Sequence, residues 1–467
     1  MATGSKAARK IVMPMRRWIR RATYLRKWLV LGAAIGIIAG LGAVVFYFAL
    51  SEATHLLLVE LGGYQPPTAA GDGGVAAGRE FTRPWAIPLV VCLGGLVSGI
   101  IVFTLAPEAE GHGTDAAIDA VHRDPRMIRV RVVLVKLVAS AVTIGSGGSG
   151  GREGPTAQIS AGFGSLLSRR LNLSPRDGRI AVAVGIGSGI GAIFGAPLGG
   201  AVLCCTIPFR EDFDFDILVP ALFTSIVSYA VFGSFVGFGP LFGYAAQEYV
   251  FVAPLELVWF AMIGILGGLI GLLYSGTFYT TVDLTRLLPG SRIVKPAIGG
   301  LLVGLMALVL PEVLGSGYGW IQQSMSRLDL MSIPLWVVLA LPFAKILATS
   351  LSIGSGGSGG IFGPGLVIGA FTGAAVWRVL EPWAPGVPDS PGPFVIVGMM
   401  ACFGSIARAP LAVMLMVAEM TGSIGVLAPG MIAVGIAYLI VRRAGKTIYR
   451  SQVENRDEGR RRQRAPG

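Results

Sequence analysis

The residues best equipped for chemistry lie in one short segment, IGSGGSGGREGP at residues 144–155, where Glu153 stands between Gly151 and Pro155. The first eight letters return unchanged at 353–360, 209 positions later, followed there by IFGP. Such a run is poorly suited to hydrocarbon, because backbone groups without partners are heavily penalised there. Each copy therefore reads as an unwound loop, buried in protein or facing a polar cavity. The proline that follows fits the first turn of a helix, where its missing N–H is not needed. A helix N-terminus carries about half a positive charge and unpaired N–H donors. Two such ends meeting at one depth form an anion site without requiring a full cation. Glu153 is itself an anion, able to occupy that site and to leave when protonated or displaced, which couples proton and anion occupancy. The plainer reading makes it a first-turn acid that stabilises its own helix dipole. Small-residue helix packing is the plainer reading of the glycines, but eight duplicated letters ahead of a Pro-initiated helix weigh against it. No G-K-[ST] follows, so a phosphate-binding loop is excluded.

The elements that must hold these loops are membrane helices. Hydrophobic residues make up 53% of the 467 and charged residues 14%, against about 25% charged in soluble domains; mean hydropathy is +0.70. Net charge is +12, and it is concentrated at the ends. Residues 1–27 carry nine Lys or Arg and no acid, and residues 442–467 carry nine against three acids. Because this charge flanks apolar spans, it argues for both termini in the cytoplasm and against a nucleic-acid partner. The run at 28–50 is too long for a signal h-region and reads as a retained first helix. The cysteines (Cys92, Cys204, Cys205, Cys402) lie in apolar runs, and His55, His112 and His122 are too few for a cluster, so no metal and no cofactor is expected.

Apolar segments fall near 28–50, 86–106, 128–144, 179–195, 197–207, 217–236, 252–282, 294–311, 333–350, 361–380, 393–406, 410–421 and 423–441. Several are too short to cross about 30 Å of hydrocarbon, which points to half-helices meeting inside the bilayer. The polar Pro/Gly stretch at 62–84 reads as an extracellular loop. The duplication extends beyond the glycines: Lys136 and Lys345 each precede their copy by eight residues, and Pro197 and Pro410, in IGAIFGAPLGG and FGSIARAPLAV, are 213 apart. The chain thus divides into a basic tail (1–27), a first membrane repeat (28–235), a linker (236–251), a second repeat (252–449) and a basic tail (450–467). Matched broken segments in two halves are the mark of a transporter-type binding site.

These residues resemble the CLC family of chloride channels and chloride–proton antiporters, prokaryotic type, without C-terminal nucleotide-binding (CBS) domains. GREGP at 151–155 is similar to the family's gating-glutamate motif, GIFGP at 360–364 to its G-x-F-x-P motif, and AGKTIY at 444–449 to the segment ending in its pore tyrosine. Lys136, FGAPLGG and ARAPLAVMLMVAEMT follow in matching order. The resemblance implies an all-α polytopic fold of two inverted repeats with many short, tilted or broken helices. It implies a homodimer with one pore per subunit in the bacterial inner membrane, carrying chloride or a related small anion, and protons as well where the member is an antiporter. Glu153 would be the gate, the N–H groups of Ile361 and Phe362 would face the anion, and the Tyr449 hydroxyl would donate to it. Gly151, Arg152, Gly154, Gly360 and Gly363 would complete the two helix ends.

Two positions depart from the pattern. The family's G-S-G-I-P aligns with GHGTD at 111–115, placing His112, between Gly111 and Gly113, where a serine hydroxyl is expected. An imidazole also donates N–H to an anion and titrates near neutrality; the alternative is a loop histidine turned toward solvent. The family's internal proton glutamate falls at Ile207, preceded by Thr206. Neither carries a proton as a carboxylate does, and Glu211 stands at another helical phase beyond Pro208. The expectation is Glu153-gated transport with weak or absent proton coupling rather than stoichiometric exchange; the alternative is exchange by another proton route. Two readings from other classes are a non-conducting scaffold and an intramembrane serine protease using the GSGG serines, which would need a base within reach.

Overall fold

The computed structural model describes residues 6–74, 81–243, 249–251 and 253–464. The ends of both expected tails (1–5 and 465–467), part of the 62–84 loop (75–80), part of the linker (244–248) and Val252 lie outside them. The described chain is helical, with isolated β-bridges only.

The first half contains α2 (Tyr24–Thr54), α3 (Ala86–Leu105), α4 (Thr114–His122), α5 (Val130–Gly145), α6 (Glu153–Leu171), α7 (Pro175–Phe194), α8 (Pro197–Thr206) and α9 (Phe215–Val236). The second half contains α10 (Glu256–Leu287), α11 (Lys295–Ala307), α12 (Tyr318–Ser324), α13 (Arg327–Ser332), α14 (Leu335–Gly354), α15 (Phe362–Leu380), α16 (Gly392–Ile406), α17 (Pro410–Thr421) and α18 (Leu427–Arg443). The basic segments at the two ends are themselves helical, α1 (Lys6–Arg21) and α19 (Arg456–Arg464). α1 packs on α6, with the Arg16 guanidinium capping the Arg170 carbonyl at 2.8 Å.

Local sequence sets the helix ends. α7 opens with Ser174 accepting from the Asp177 N–H and with Pro175 in its first turn, and closes on Gly195 in the left-handed region at φ 66°. α8 and α17 start on Pro197 and Pro410. Seven described helices are long and apolar enough to cross a membrane, and α8, α11, α16 and α17 are shorter apolar helices. α6 is absent from the apolar segments read in the sequence, for a physical reason. Every residue from Glu153 to Gly162 is buried against protein, so the helix has no face that lipid would select to be apolar.

The halves are related by exchange symmetry. The Ser140 and Ser358 hydroxyls are 2.9 Å apart, and so are those of Ser149 and Thr349; the 209 offset turns one pair into the other, since Ser140 corresponds to Thr349 and Ser149 to Ser358. The Gly359 N–H donates to the Gly111 carbonyl at 3.3 Å, and the Gly150 N–H donates to that of Gly315 at 3.4 Å. Gly147 and Gly356 have φ of 106° and 107°. Gly151 and Gly360 pair antiparallel. Equivalent residues meeting antiparallel is the arrangement a two-fold axis between the repeats produces. The fold is an all-α polytopic membrane protein of two inverted repeats.

Candidate functional site

The two Gly-rich loops meet at the centre of the molecule. The Gly360 N–H donates to the Gly151 carbonyl at 2.7 Å, and the Gly151 N–H returns a bond to the Gly360 carbonyl at 2.8 Å. A Cβ on Gly151 would stand 2.1 Å from Glu153 Oε1, and one on Gly360 2.8 Å from the Gly151 carbonyl oxygen. Neither position accepts a side chain without displacing what it touches.

Glu153 opens α6 and is 1% exposed. Its Oε1 accepts from the Gly363 N–H in the first turn of α15, and its Oε2 accepts from the Tyr318 hydroxyl at 3.0 Å. The carboxylate of one repeat therefore lies on the helix N-terminus of the other. Ile361 and Phe362 lead into that same turn, where N–H groups have no carbonyl partner within the helix. Gly154 lies tight beneath, since a Cβ there would stand 2.3 Å from the His112 carbonyl oxygen.

Two buried lysines hold the loops in shape. Lys136 donates to the carbonyls of Ala109 and Gly111 at 3.1 and 2.5 Å. Lys345, its counterpart, donates to Val313 and Gly315 at 2.9 and 2.8 Å. Each ammonium gathers the oxygens of the turn that precedes α4 or α12.

On one side of Glu153, Arg152 pairs with Asp72 at 3.0 Å and stacks between the rings of Tyr47 and Tyr318, at 5.5 and 5.2 Å. Arg152 is thus directed to the 62–84 loop rather than to the carboxylate. These residues line a cavity of about 230 Å³ together with Ser316. On the other side, His112 is 6% exposed, which overturns the solvent-facing alternative. Its Nε2 stands 3.2 Å from Asp115 Oδ2, while its Nδ1 has no hydrogen-bond partner. Asp115 also accepts from the N–H groups of Arg450 and Ser451, at 3.3 and 3.0 Å, tying the start of α4 to the segment that carries Tyr449.

Tyr449 is 1% exposed, and its ring centroid lies 5.8 Å from that of His112. From there aromatic rings run in sequence: Tyr449 to Phe403 at 6.5 Å, Phe403 to Phe362 at 4.1 Å, Phe362 to Phe194 at 5.4 Å, and Phe194 to Tyr318 at 6.1 Å. The structure thus brings together Gly111, His112, Gly113, Gly151, Arg152, Glu153, Gly154, Gly360, Ile361, Phe362, Gly363 and Tyr449. Tyr318 and Asp72 were not singled out by sequence. For Tyr318 a signal existed: it follows Gly-Ser-Gly at 315–317, the counterpart of Gly-His-Gly at 111–113.

Ile207 is buried at the end of α8, its carbonyl accepting from the Gln452 side chain at 3.0 Å. Glu211 lies beyond it, in a bidentate pair with Arg442 at 2.9 and 3.1 Å. The guanidinium holds that carboxyl below the usual range, so it stays ionised at neutral pH. The GSGG serines bond to hydroxyls on α5 and α14 and to a carbonyl, Ser358 to Ser140 and Ala109, Ser149 to Thr349.

The family model described as "Voltage gated chloride channel" matches residues 94–442. A protein named as ClcB-like, for chloride channel, from Ralstonia nicotianae is 32% identical over 401 residues, covering 84% of this chain and 91% of its own. An H(+)/Cl(-) exchange transporter ClcA from Citrobacter koseri is 29% identical over 447 residues, covering 93% and 90%. Among solved structures, a slow cyanobacterial Cl-/H+ antiporter superposes with a TM-score of 0.77 at 24% identity, over 90% of this chain and 96% of that one.

Proposed function

The chain belongs to the CLC family, whose members transport anions, and from that premise we propose that it carries chloride or a related small anion along the His112–Glu153 axis under the control of the Glu153 carboxylate. The observation that carries this reading is the seat of that carboxylate, on the Gly363 N–H of the opposite repeat. A negative group held by a helix N-terminus marks where a free anion gains the same donors once the side chain leaves. Protonation removes the charge that holds Glu153 there, so transport rises as pH falls.

The Asp72 side faces out and the Tyr449 side faces the cytoplasm, in keeping with the basic residues at both chain ends. Tyr449 donates to the anion from within, and His112 replaces the serine hydroxyl of the family pattern. The subunit works in a homodimer with one pathway each, in the bacterial inner membrane. Proton coupling through the usual internal position is weak, because Ile207 and Thr206 carry no carboxylate and Glu211 is held ionised by Arg442. A second reading, coupled exchange by another route, draws on one observation: the buried His112 Nδ1 without a partner. Engagement of the GSGG serines with hydroxyls and carbonyls gives no support to the protease reading.

Chloride-loaded proteoliposomes, with voltage shunted by a potassium ionophore, test the proposal. Efflux is expected, and no flux of chloride, nitrate, bromide or fluoride would overturn it. Simultaneous proton recording separates the modes. Uphill proton movement driven by chloride means exchange, and its absence means conduction.

A further inference from the structure

We propose that the Tyr318 hydroxyl is a ligand for the transported anion on the Asp72 side of the site, and that the same hydroxyl detains the Glu153 carboxylate when no anion is there. This rests on the anion reading of the Glu153 site and adds a residue to it.

The Glu153 carboxylate meets two donors from the second half of the chain, the Gly363 N–H and the Tyr318 O–H. Tyr318 is 3% exposed, and a Cβ on Gly363 would stand 2.3 Å from its hydroxyl oxygen. The hydroxyl therefore overhangs the first turn of α15, beside the N–H that holds the other carboxylate oxygen. Whatever small anion takes the place of the carboxylate inherits both donors. A hydroxyl and an amide satisfy an anion without burying a second full positive charge.

The ring is held so that the hydroxyl has little freedom. The Arg152 guanidinium lies 5.2 Å over it, and Phe194 and Phe242 meet it with centroids 6.1 Å away. Arg152 is fixed in turn by Asp72. Repeat symmetry supports the assignment independently. Gly317 and Gly113 precede α12 and α4 with φ of 79° and 81°, so the first residues of these helices, Tyr318 and Thr114, are counterparts. The Thr114 side chain lies beside Tyr449, and the Tyr318 hydroxyl donates to Glu153. Each helix opens on a hydroxyl that addresses one side of the ion path.

The Glu153→Ala background isolates the ligand role, because the competing carboxylate is gone. Chloride titrated calorimetrically into detergent-purified Glu153→Ala and Glu153→Ala/Tyr318→Phe is expected to bind about tenfold more weakly to the second. Phe keeps the ring between Arg152 and Phe194 and removes only the donor. Equal affinity in two monodisperse proteins overturns the Tyr318 assignment and leaves the anion reading standing. No chloride binding in Glu153→Ala overturns both. The single variant Tyr318→Phe gives a second readout through the pH dependence of efflux. The ionisable groups around the Glu153 carboxylate are Arg152 with its partner Asp72, Tyr318, Tyr274 and Tyr449, of which the variant alters one. Losing a donor to the carboxylate makes protonation easier, so the activation midpoint should move to higher pH by about one unit. An unmoved midpoint overturns the assignment.

Discussion

The two halves of the chain build the same scaffold and fill it differently. In both, a buried lysine gathers two loop carbonyls, a Gly-rich turn crosses the centre, and a helix starts where the turn ends. The first half places Arg152 and Glu153 at that start, and the second places Ile361 and Phe362. Around the start of the short helices, the first half has His112 and Asp115 where the second has Ser316 and Gly319. The main chain, which supplies the donors, is constrained equally on both sides. The titratable side chains Arg152, Glu153, His112 and Asp115, proposed to control access to those donors, stand in the first half. On the proposed reading, duplication produced the binding site and divergence its control.

The strongest disruption of this comparison is expected from the shared glycines. Gly151→Ala and Gly360→Ala should both abolish efflux and cost about 1–3 kcal/mol of stability from overpacking, read from proteoliposome flux and a thermal melt. A variant that tolerates alanine on one side only would show that the crossing is not jointly built. Next in size is Glu153→Ala. Flux at neutral pH should rise several-fold and lose its acid activation, whereas Phe362→Ala should retain that activation. A Glu153→Ala protein that still responds to pH would move control elsewhere.

His112→Ser separates the halves more finely. Efflux should persist with its anion selectivity shifted, because the donor changes from an imidazole N–H to a hydroxyl, while Ser316→Ala leaves the selectivity in place. Coupled proton movement, if recorded in the parent, should fall in His112→Ser and not in Ser316→Ala. The smallest effect is expected at Asp72→Asn, which unmasks the Arg152 charge at the mouth. Flux at low ionic strength should rise about two- to threefold, and the gain should shrink as salt is added. A gain that ignores salt would point to loosening of the loop instead.

The duplicated glycines, the Pro-initiated helices and the placement of Glu153 could be read from residue order, because each is a local pattern with a direct physical cost in lipid. α6 escaped hydropathy because protein, not lipid, covers all of its first half. Asp72 could not be paired with Arg152 from sequence, since no periodicity tells a loop where it returns. Tyr318 was within reach through the Gly-x-Gly counterpart of 111–113, but its repeat offset differs from that of the glycine loops, and the alignment by eight identical letters stops short of it. The helical state of the basic ends was missed for another reason: charge reports which side of a membrane a segment prefers and says little about its conformation.

The lysine anchors also bear on which ions are refused. The oxygens of Gly111 and Gly315 are committed to ammonium groups, those of Gly151 and Gly360 to each other's amides, and that of Ile361 to the Tyr274 hydroxyl at 2.8 Å. Each already accepts a hydrogen bond before any solute arrives. On the proposed reading of the site, a sodium or potassium ion stripped of water at this depth would find those five oxygens already engaged, so the pathway would disfavour positive charge by offering it little to coordinate rather than by ringing the passage with exposed cations.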